Sequence, residues 1–196
     1  MQETNKTKSG EIYASYRLTI CGLDELLSQR STRVTHVLSI LDPGMPQPEI
    51  VRHYKMLRDH QMLHFHDIAQ PMAGAQAPSR GHVARLLAYG DEIVSTLGAE
   101  DHLLIHCHAG ISRSTAAATI LLAQHHPGRE EQALQRVVQS RPVAIPNVRM
   151  IAYADALLER DGALIAALEN LRRGRLRGDE ASPSWLQVLS RGLRGR

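Results

Sequence analysis

The sequence has few of the features that mark secreted or membrane-embedded proteins. Only two of its 196 residues are cysteines, Cys21 and Cys107, and two cysteines are too few for the disulfide framework of a small secreted domain. No apolar run approaches the roughly 20 residues of a membrane span. Residues 1–10 are polar and lack the apolar stretch of a signal peptide. We therefore expect a cytoplasmic, reducing setting, which suits a chemistry that needs a free thiol.

The sequence also lacks a large excess of positive or negative charge. The formal net charge is +3, and 22% of the residues are charged while 43% are hydrophobic. This composition is sufficient for one domain with its own core. The small positive charge favours anionic ligands slightly and does not indicate a nucleic-acid partner. The expected organisation is a loose leader over residues 1–10, one domain over 11–170, and a basic tail over 171–196 that packs on the domain or contacts anionic surfaces.

Short apolar segments alternate with amphipathic ones along the chain. The predicted strands cover residues 13–20, 34–41, 62–68 and 103–106. The predicted helices cover 23–29, 49–59, a segment that begins after a Ser79 cap, 115–124, 131–140 and 148–159. Residues 70–78 are rich in Pro, Gly and Ala and predict an exposed loop. The predicted fold is α/β, with a central mixed, mainly parallel sheet flanked by helices.

The most informative segment joins the predicted strand at 103–106 to the following helix. Its residues are His106, Cys107, His108, Ala109, Gly110, Ile111, Ser112, Arg113 and Ser114. A loop that leads into a helix N-terminus presents backbone N–H groups to an anion, and the helix dipole adds to the attraction. The same field favours the thiolate of Cys107. Arg113 can offer a planar pair of donors to two phosphate oxygens.

These residue types together predict phosphoryl transfer to sulfur. The Cys107 thiolate attacks phosphorus, and a covalent phosphocysteine forms and is then hydrolysed. The loop and Arg113 stabilise the charge on the phosphoryl oxygens. The hydroxyl of Ser114 can donate to the sulfur when it departs. The reaction needs no metal and no cofactor, so the metal-binding alternative that histidines such as His64 and His66 suggest is not favoured.

The segment resembles the signature of the cysteine-dependent protein tyrosine phosphatases, in which a His-Cys pair is followed by five residues, an Arg and a Ser or Thr. The order Ala-Gly-x-Ser-Arg-Ser is similar to the dual-specificity branch, and a weaker resemblance spans residues 13–158. It implies a phosphorylated protein or peptide as substrate, with phosphotyrosine as the target and with phosphoserine and phosphothreonine left open as further targets. A phosphatase of a non-protein phosphate ester and a phospho-residue binding module without turnover remain alternatives, as does a turn with an incidental cysteine.

The family resemblance also implies a general acid upstream of the signature. It places an Asp after an earlier strand, and Asp67 stands at the end of the predicted third strand, just before the loop at 70–78. Asp67 is therefore the predicted acid, and the alternative is a residue that caps a turn. The stretch between Asp67 and Cys107 is longer than is typical of the family.

Several polar residues near the signature have a second interpretation. Asn147 follows Ile145-Pro146 in a segment similar to the family's pocket lining, where it can orient the hydrolytic water, cap the next helix, or do both. His106 is expected to tune Cys107 through hydrogen bonds, and His108 to flank the mouth of the pocket. Cys21 is expected to be a buried core residue, and a redox partnership with Cys107 is the alternative.

Overall fold

Four parallel strands lie at the centre of the protein in a computed structural model that describes residues 16–177. They are β1 (Arg17–Cys21), β2 (His36–Leu41), β3 (Asp59–His64) and β4 (His102–His106). Their order is β1-β4-β2-β3, and every neighbouring pair is parallel. The α/β class with a mainly parallel sheet is confirmed. The antiparallel strand that a mixed sheet requires is not found between residues 16 and 177.

Within residues 16–177, five helices cover one face of the sheet. They are α1 (Arg80–Thr96), α2 (Arg113–Gln124), α3 (Glu130–Ser140), α4 (Val148–Leu157) and α5 (Ala163–Arg177). Because side chains alternate along a strand, Leu103 and Ile105 of β4 face this helical layer and Leu104 faces the other side. Two short 3₁₀ helices, Leu26–Ser31 and Glu49–His53, cover that other side. No helix among residues 16–177 is long and apolar enough to cross a membrane.

Two of the predicted α-helices are short 3₁₀ helices instead. The segment predicted at 23–29 is helical at Leu26–Ser31, and that predicted at 49–59 ends at His53. The predicted segment 49–59 also runs into β3, which pairs with β2 from Asp59 onwards. The strand predicted at 62–68 begins three residues earlier, at Asp59. The prediction misses this start because the first residues of the strand are polar. Pairing of the backbone with β2 does not require apolar side chains, so hydrophobic periodicity misses this end of the strand.

The last helix was not predicted. α5 buries Leu164, Ala167 and Leu168 and contacts α3 and α4, but its exposed face is rich in Arg and hides this apolar stripe. The expected boundary between residues 170 and 171 falls inside α5, so the first part of the basic segment is helical. The leader at 1–10 and the rest of the basic tail lie outside the described residues.

Candidate active site

The signature loop joins the central strand β4 to α2. Gly110 has a φ of +68°, and a Cβ atom on it would lie 2.4 Å from the carbonyl carbon of Cys21. Only glycine fits there, because any side chain would meet backbone at that distance. Cys107 is buried, and its Sγ lies 3.2 Å from the Ser114 Oγ. The hydroxyl predicted to assist the sulfur is therefore within hydrogen-bond distance of it.

Backbone N–H groups from outside the loop hold its carbonyls. The bonds run from Leu23 N to the His108 oxygen (2.9 Å), from Ile145 N to the Ile111 oxygen (2.8 Å) and from Asn147 N to the Ser112 oxygen (3.3 Å). Because these carbonyl oxygens point outwards to their donors, the N–H groups of the loop are left to face its inner side. This is the arrangement that an anion cradle requires.

Two hydrogen bonds from a single nitrogen, Nη1, hold the guanidinium of Arg113 in place. Its Nη1 donates to Asp42 Oδ1 at 2.6 Å and to the Phe65 carbonyl at 2.7 Å. Its Nε is buried and has no hydrogen-bond partner among residues 16–177, with the nearest carboxylate oxygen, Asp67 Oδ2, at 3.9 Å. The side chain is only 3% exposed, and a buried donor without a partner is costly. An oxyanion in the loop would supply the missing acceptor.

Asp42 is a site residue that the sequence analysis missed. The sequence Asp42-Pro43-Gly44 is typical of a turn, which hides the role of the carboxylate. The available signal was its position directly after β2, because carboxyl ends of parallel strands meet at one edge of the sheet, where ligands bind. His108 lies 3.9 Å from Asp42 through its Nδ1 and is half-exposed, which places it at the rim of the site as expected.

Asp67 lies against the signature loop. Its Oδ1 accepts hydrogen bonds from the Ser112 hydroxyl at 2.7 Å and from the Asn147 amide nitrogen at 2.8 Å. Its side chain is one-third exposed, so protons can exchange with solvent. Two side chains from separate elements thus hold the predicted acid next to the cysteine loop.

Asn147 caps the following helix and also contacts the predicted acid. Its Oδ1 accepts from Arg149 N at 3.1 Å and from Met150 N at 3.2 Å, which caps α4. Its amide nitrogen donates to Asp67. The cap is confirmed, and it orients the amide group towards the site.

His106 lies behind the loop in a buried hydrogen-bonded chain. Its Nε2 lies 2.5 Å from the Ser39 hydroxyl, which in turn lies 2.7 Å from Nε2 of His60. Its Nδ1 lies 3.4 Å from the carbonyl oxygen of Cys107. Burial lowers the pKa of His106 to about 4. The ring is therefore neutral at pH 7, with Nδ1–H facing the Cys107 carbonyl and Nε2 accepting from Ser39.

The lowered pKa of His106 predicts a loss of stability in mild acid. The unfolded chain binds a proton near pH 6.5 and the folded chain does so only near pH 4, so the free energy of unfolding falls as the pH drops through this window. Between pH 7 and pH 5 this residue should account for about 2 kcal/mol. Urea unfolding should show a steeper pH dependence for the wild type than for His106→Asn. Equal slopes would contradict the assignment.

Cys21 and Cys107 pack in different layers. Cys21 is buried among Leu26, Val37, Tyr54 and Leu104, on the side of the sheet opposite the helices, whereas Cys107 belongs to the helical core. Burial raises the pKa of the Cys21 thiol to about 12, which makes it unreactive. These positions favour the core interpretation of Cys21. Within residues 16–177 no group of three or more His, Cys, Asp or Glu side chains is placed to hold a metal ion.

Comparison with known proteins gives matches in structure alone. No protein-family model and no curated protein sequence matches the chain. Human DUSP28 superposes with a TM-score of 0.56 at 20% identity, over 78% of this chain and 97% of its own. DUSP15 gives a TM-score of 0.55 at 19% identity, over 82% of this chain and 94% of its own.

The Cydia pomonella PTP-2 phosphatase gives a TM-score of 0.54 at 26% identity, over 71% of this chain and 84% of its own. All three solved structures contain a phosphatase fold that this chain covers almost completely. The resemblance drawn from the signature loop is thereby confirmed in three dimensions. The chain shares its fold with these phosphatase structures, as the resemblance of the signature loop implied.

Proposed function

We propose that the protein is a protein tyrosine or dual-specificity phosphatase that hydrolyses phosphate monoesters through a phosphocysteine. One observation carries the proposal: the sulfur of Cys107, the Ser114 hydroxyl, the unpartnered Nε of Arg113 and the carboxyl group of Asp67 surround a single loop. A nucleophile, an oxyanion donor and an acid in one place are the parts that this reaction requires.

In the first step a bond forms between the Cys107 sulfur and phosphorus while the ester P–O bond breaks. The electron pair of that bond goes to the leaving oxygen, and protonated Asp67 supplies its proton, because an unprotonated alkoxide or phenoxide leaves poorly. Arg113 and the loop N–H groups stabilise the negative charge on the equatorial oxygens. Asp42 and the Phe65 carbonyl keep the guanidinium in place, which makes them positioning groups.

In the second step water hydrolyses the phosphocysteine. Asp67, now a carboxylate, accepts a proton from the attacking water, and inorganic phosphate leaves as the S–P bond breaks. The Asn147 amide next to Asp67 is suited to orient that water. The Ser114 hydroxyl donates to the departing thiolate and so stabilises the charge that develops on it.

The proposed substrate is a phosphorylated protein or peptide. The five residues between Cys107 and Arg113 are His108, Ala109, Gly110, Ile111 and Ser112, and they lack the additional lysines that phosphoinositide-directed relatives carry. A cytoplasmic location, where Cys107 stays reduced, is part of the proposal. The alternatives are a non-protein phosphate ester as substrate, or binding of a phosphorylated residue without turnover.

The direct test is hydrolysis of p-nitrophenyl phosphate by the full chain with reductant and a chelator, followed by phosphate release from a panel of phosphotyrosine, phosphoserine and phosphothreonine peptides. We expect turnover with the chelator present and release from phosphotyrosine peptides. Turnover of p-nitrophenyl phosphate without release from any peptide would favour a non-protein ester. Tight peptide binding without turnover would identify a binding module.

Asp67→Asn should make the rate depend strongly on the leaving group. An amide cannot protonate the leaving oxygen, so hydrolysis of phenyl phosphate should slow by about 10²-fold or more. p-Nitrophenyl phosphate should be affected less in its first step, because nitrophenoxide leaves without a proton. The comparison uses kcat/KM, which reports the first step alone, because the second step also needs Asp67. The control is Glu49→Gln at an exposed carboxylate in the 3₁₀ helix Glu49–His53, and equal losses in kcat/KM for both esters would contradict the acid role.

A further inference from the structure

All five consecutive carbonyls of the signature loop from residue 108 to 112 accept a hydrogen bond from outside the loop. The backbone N–H groups described above hold the carbonyls of residues 108, 111 and 112. The two at the tip, Ala109 and Gly110, accept from the side chain of Arg141. The Thr115 hydroxyl donates as well to the carbonyls of residues 111 and 112, whereas a substitution of Arg141 removes both tip bonds at once without altering the neighbouring backbone.

The guanidinium of Arg141 makes four contacts. Its Nε lies 3.0 Å from the Gly110 oxygen and its Nη2 lies 3.1 Å from the Ala109 oxygen. Its Nη1 and Nη2 each lie 2.7 Å from one carboxylate oxygen of Glu25. The planar guanidinium suits this combination. Its two Nη atoms bind the carboxylate, while Nε and a second hydrogen of Nη2 bind two adjacent carbonyls.

Glu25 fixes the direction of Arg141. Its Oε2 also accepts from the backbone N–H of Gly22 at 2.7 Å, and Gly22 stands directly after β1 beside the close approach of Gly110. The bonds to Arg141 and Gly22 lower the pKa of Glu25, although burial alone would raise it. The carboxylate is therefore charged when it holds Arg141, and the pair links the end of β1 to the tip of the loop.

We propose that Arg141, oriented by Glu25, is a positioning residue that keeps the tip of the anion cradle in its binding conformation. Gly110 has a positive φ, and glycine can leave this conformation at little cost. With the Ala109 and Gly110 carbonyls held outwards, the N–H groups on the opposite side of these peptides stay directed at the anion. The proposal rests on the proposed function and adds to it a residue that touches neither phosphate nor sulfur.

The chain contains a matched control in Arg160. Like Arg141 it pairs with a glutamate, Glu130, and donates to two adjacent carbonyls, those of Ala123 and Gln124. The two side chains are similarly buried, with 12% of Arg160 and 19% of Arg141 exposed. Arg160 acts at the far end of α2, away from the loop. Arg160→Met thus removes an equivalent structural contact without touching the cradle.

The experiment compares the full-length wild type, Arg141→Met and Arg160→Met in two measurements that need no turnover. The first is tungstate affinity by isothermal titration calorimetry. The second is the rate of Cys107 alkylation by iodoacetamide at pH 6, with Cys107→Ser as the blank. We expect Arg141→Met to weaken tungstate binding and to slow alkylation by about tenfold each. Arg160→Met should leave both at the wild-type value while lowering the melting temperature by a similar amount.

Glu25→Gln is the second variant. If Arg141→Met does not fold, Glu25→Gln alone tests whether Arg141 positions the tip of the loop. It keeps one acceptor oxygen for Arg141 and should weaken tungstate binding by about threefold. Wild-type tungstate affinity in both Arg141→Met and Glu25→Gln would overturn the inference, as would an equal loss in Arg160→Met. A wild type that binds tungstate but does not hydrolyse p-nitrophenyl phosphate refutes the proposed function instead, so the two failures are distinguishable.

Discussion

Cys107→Ser should lose essentially all turnover, with a fall in kcat of at least about 10⁴-fold, and should still bind oxyanions. Serine has the same shape, but its hydroxyl is not ionised near neutral pH, and no general base contacts it in this site. The cradle and Arg113 stay in place, so tungstate affinity should remain close to that of the wild type. The measurement is p-nitrophenyl phosphate hydrolysis beside calorimetric titration of tungstate.

Cys21→Ser is the control for this substitution. Cys21 lies in the other layer of the core and its thiol is unreactive, so the variant should keep its turnover per folded molecule even where stability falls. A Cys107→Ser protein that retains its rate would contradict the thiol mechanism. A Cys21→Ser protein that loses turnover while still folded would show that the two thiols act together.

Arg113→Lys should reduce kcat/KM for p-nitrophenyl phosphate by about 10³-fold, because the change removes oxyanion donors that act mainly in the transition state. The guanidinium holds Asp42 and the Phe65 carbonyl through Nη1 and still has Nε free for phosphate. An ammonium group concentrates its donors on one atom and cannot serve both purposes. Tungstate binding should weaken in the same variant.

Arg160→Lys is the matched control, since Arg160 is also buried and paired with a carboxylate. Its kcat/KM should equal that of the wild type. An Arg113→Lys protein that is folded, as judged by thermal unfolding, and within threefold of wild type would contradict the role of Arg113 as the phosphate clamp.

The sequence was sufficient for the parts of the site that are close together in the chain. Cys107, Arg113 and Ser114 lie within one loop and the first turn of one helix, and their spacing alone implies a common site. Asp67 and Asn147 could be assigned because the family resemblance marks their positions, and the structure places both against the signature loop. The roles assigned to these residues remain predictions until the variants are measured.

Residues that reach the site through the pairing of strands could not be predicted. Asp42 follows β2 and contacts Arg113, whereas Glu25 follows β1 and reaches the loop through Arg141. Both approach the site only because β4 lies between those two strands. Arg141 lies in the break after α3, where the sequence shows only a helix end before Pro142. In each case the local pattern is that of a turn or a helix terminus, and the partner is known only once the strand order is known.

The central claim is that phosphate passes through the Cys107 sulfur, and rapid-quench mass spectrometry tests it most directly. The Asp67→Asn protein is mixed with p-nitrophenyl phosphate and quenched in acid within milliseconds. The first step needs no proton with this ester, whereas hydrolysis of the intermediate still needs Asp67, so the phosphocysteine should accumulate. We predict one phosphoryl group on the peptide that contains Cys107, and its absence from the same peptide of Cys107→Ser. Nitrophenol release without phosphate on Cys107, or with phosphate on another residue, would contradict the account.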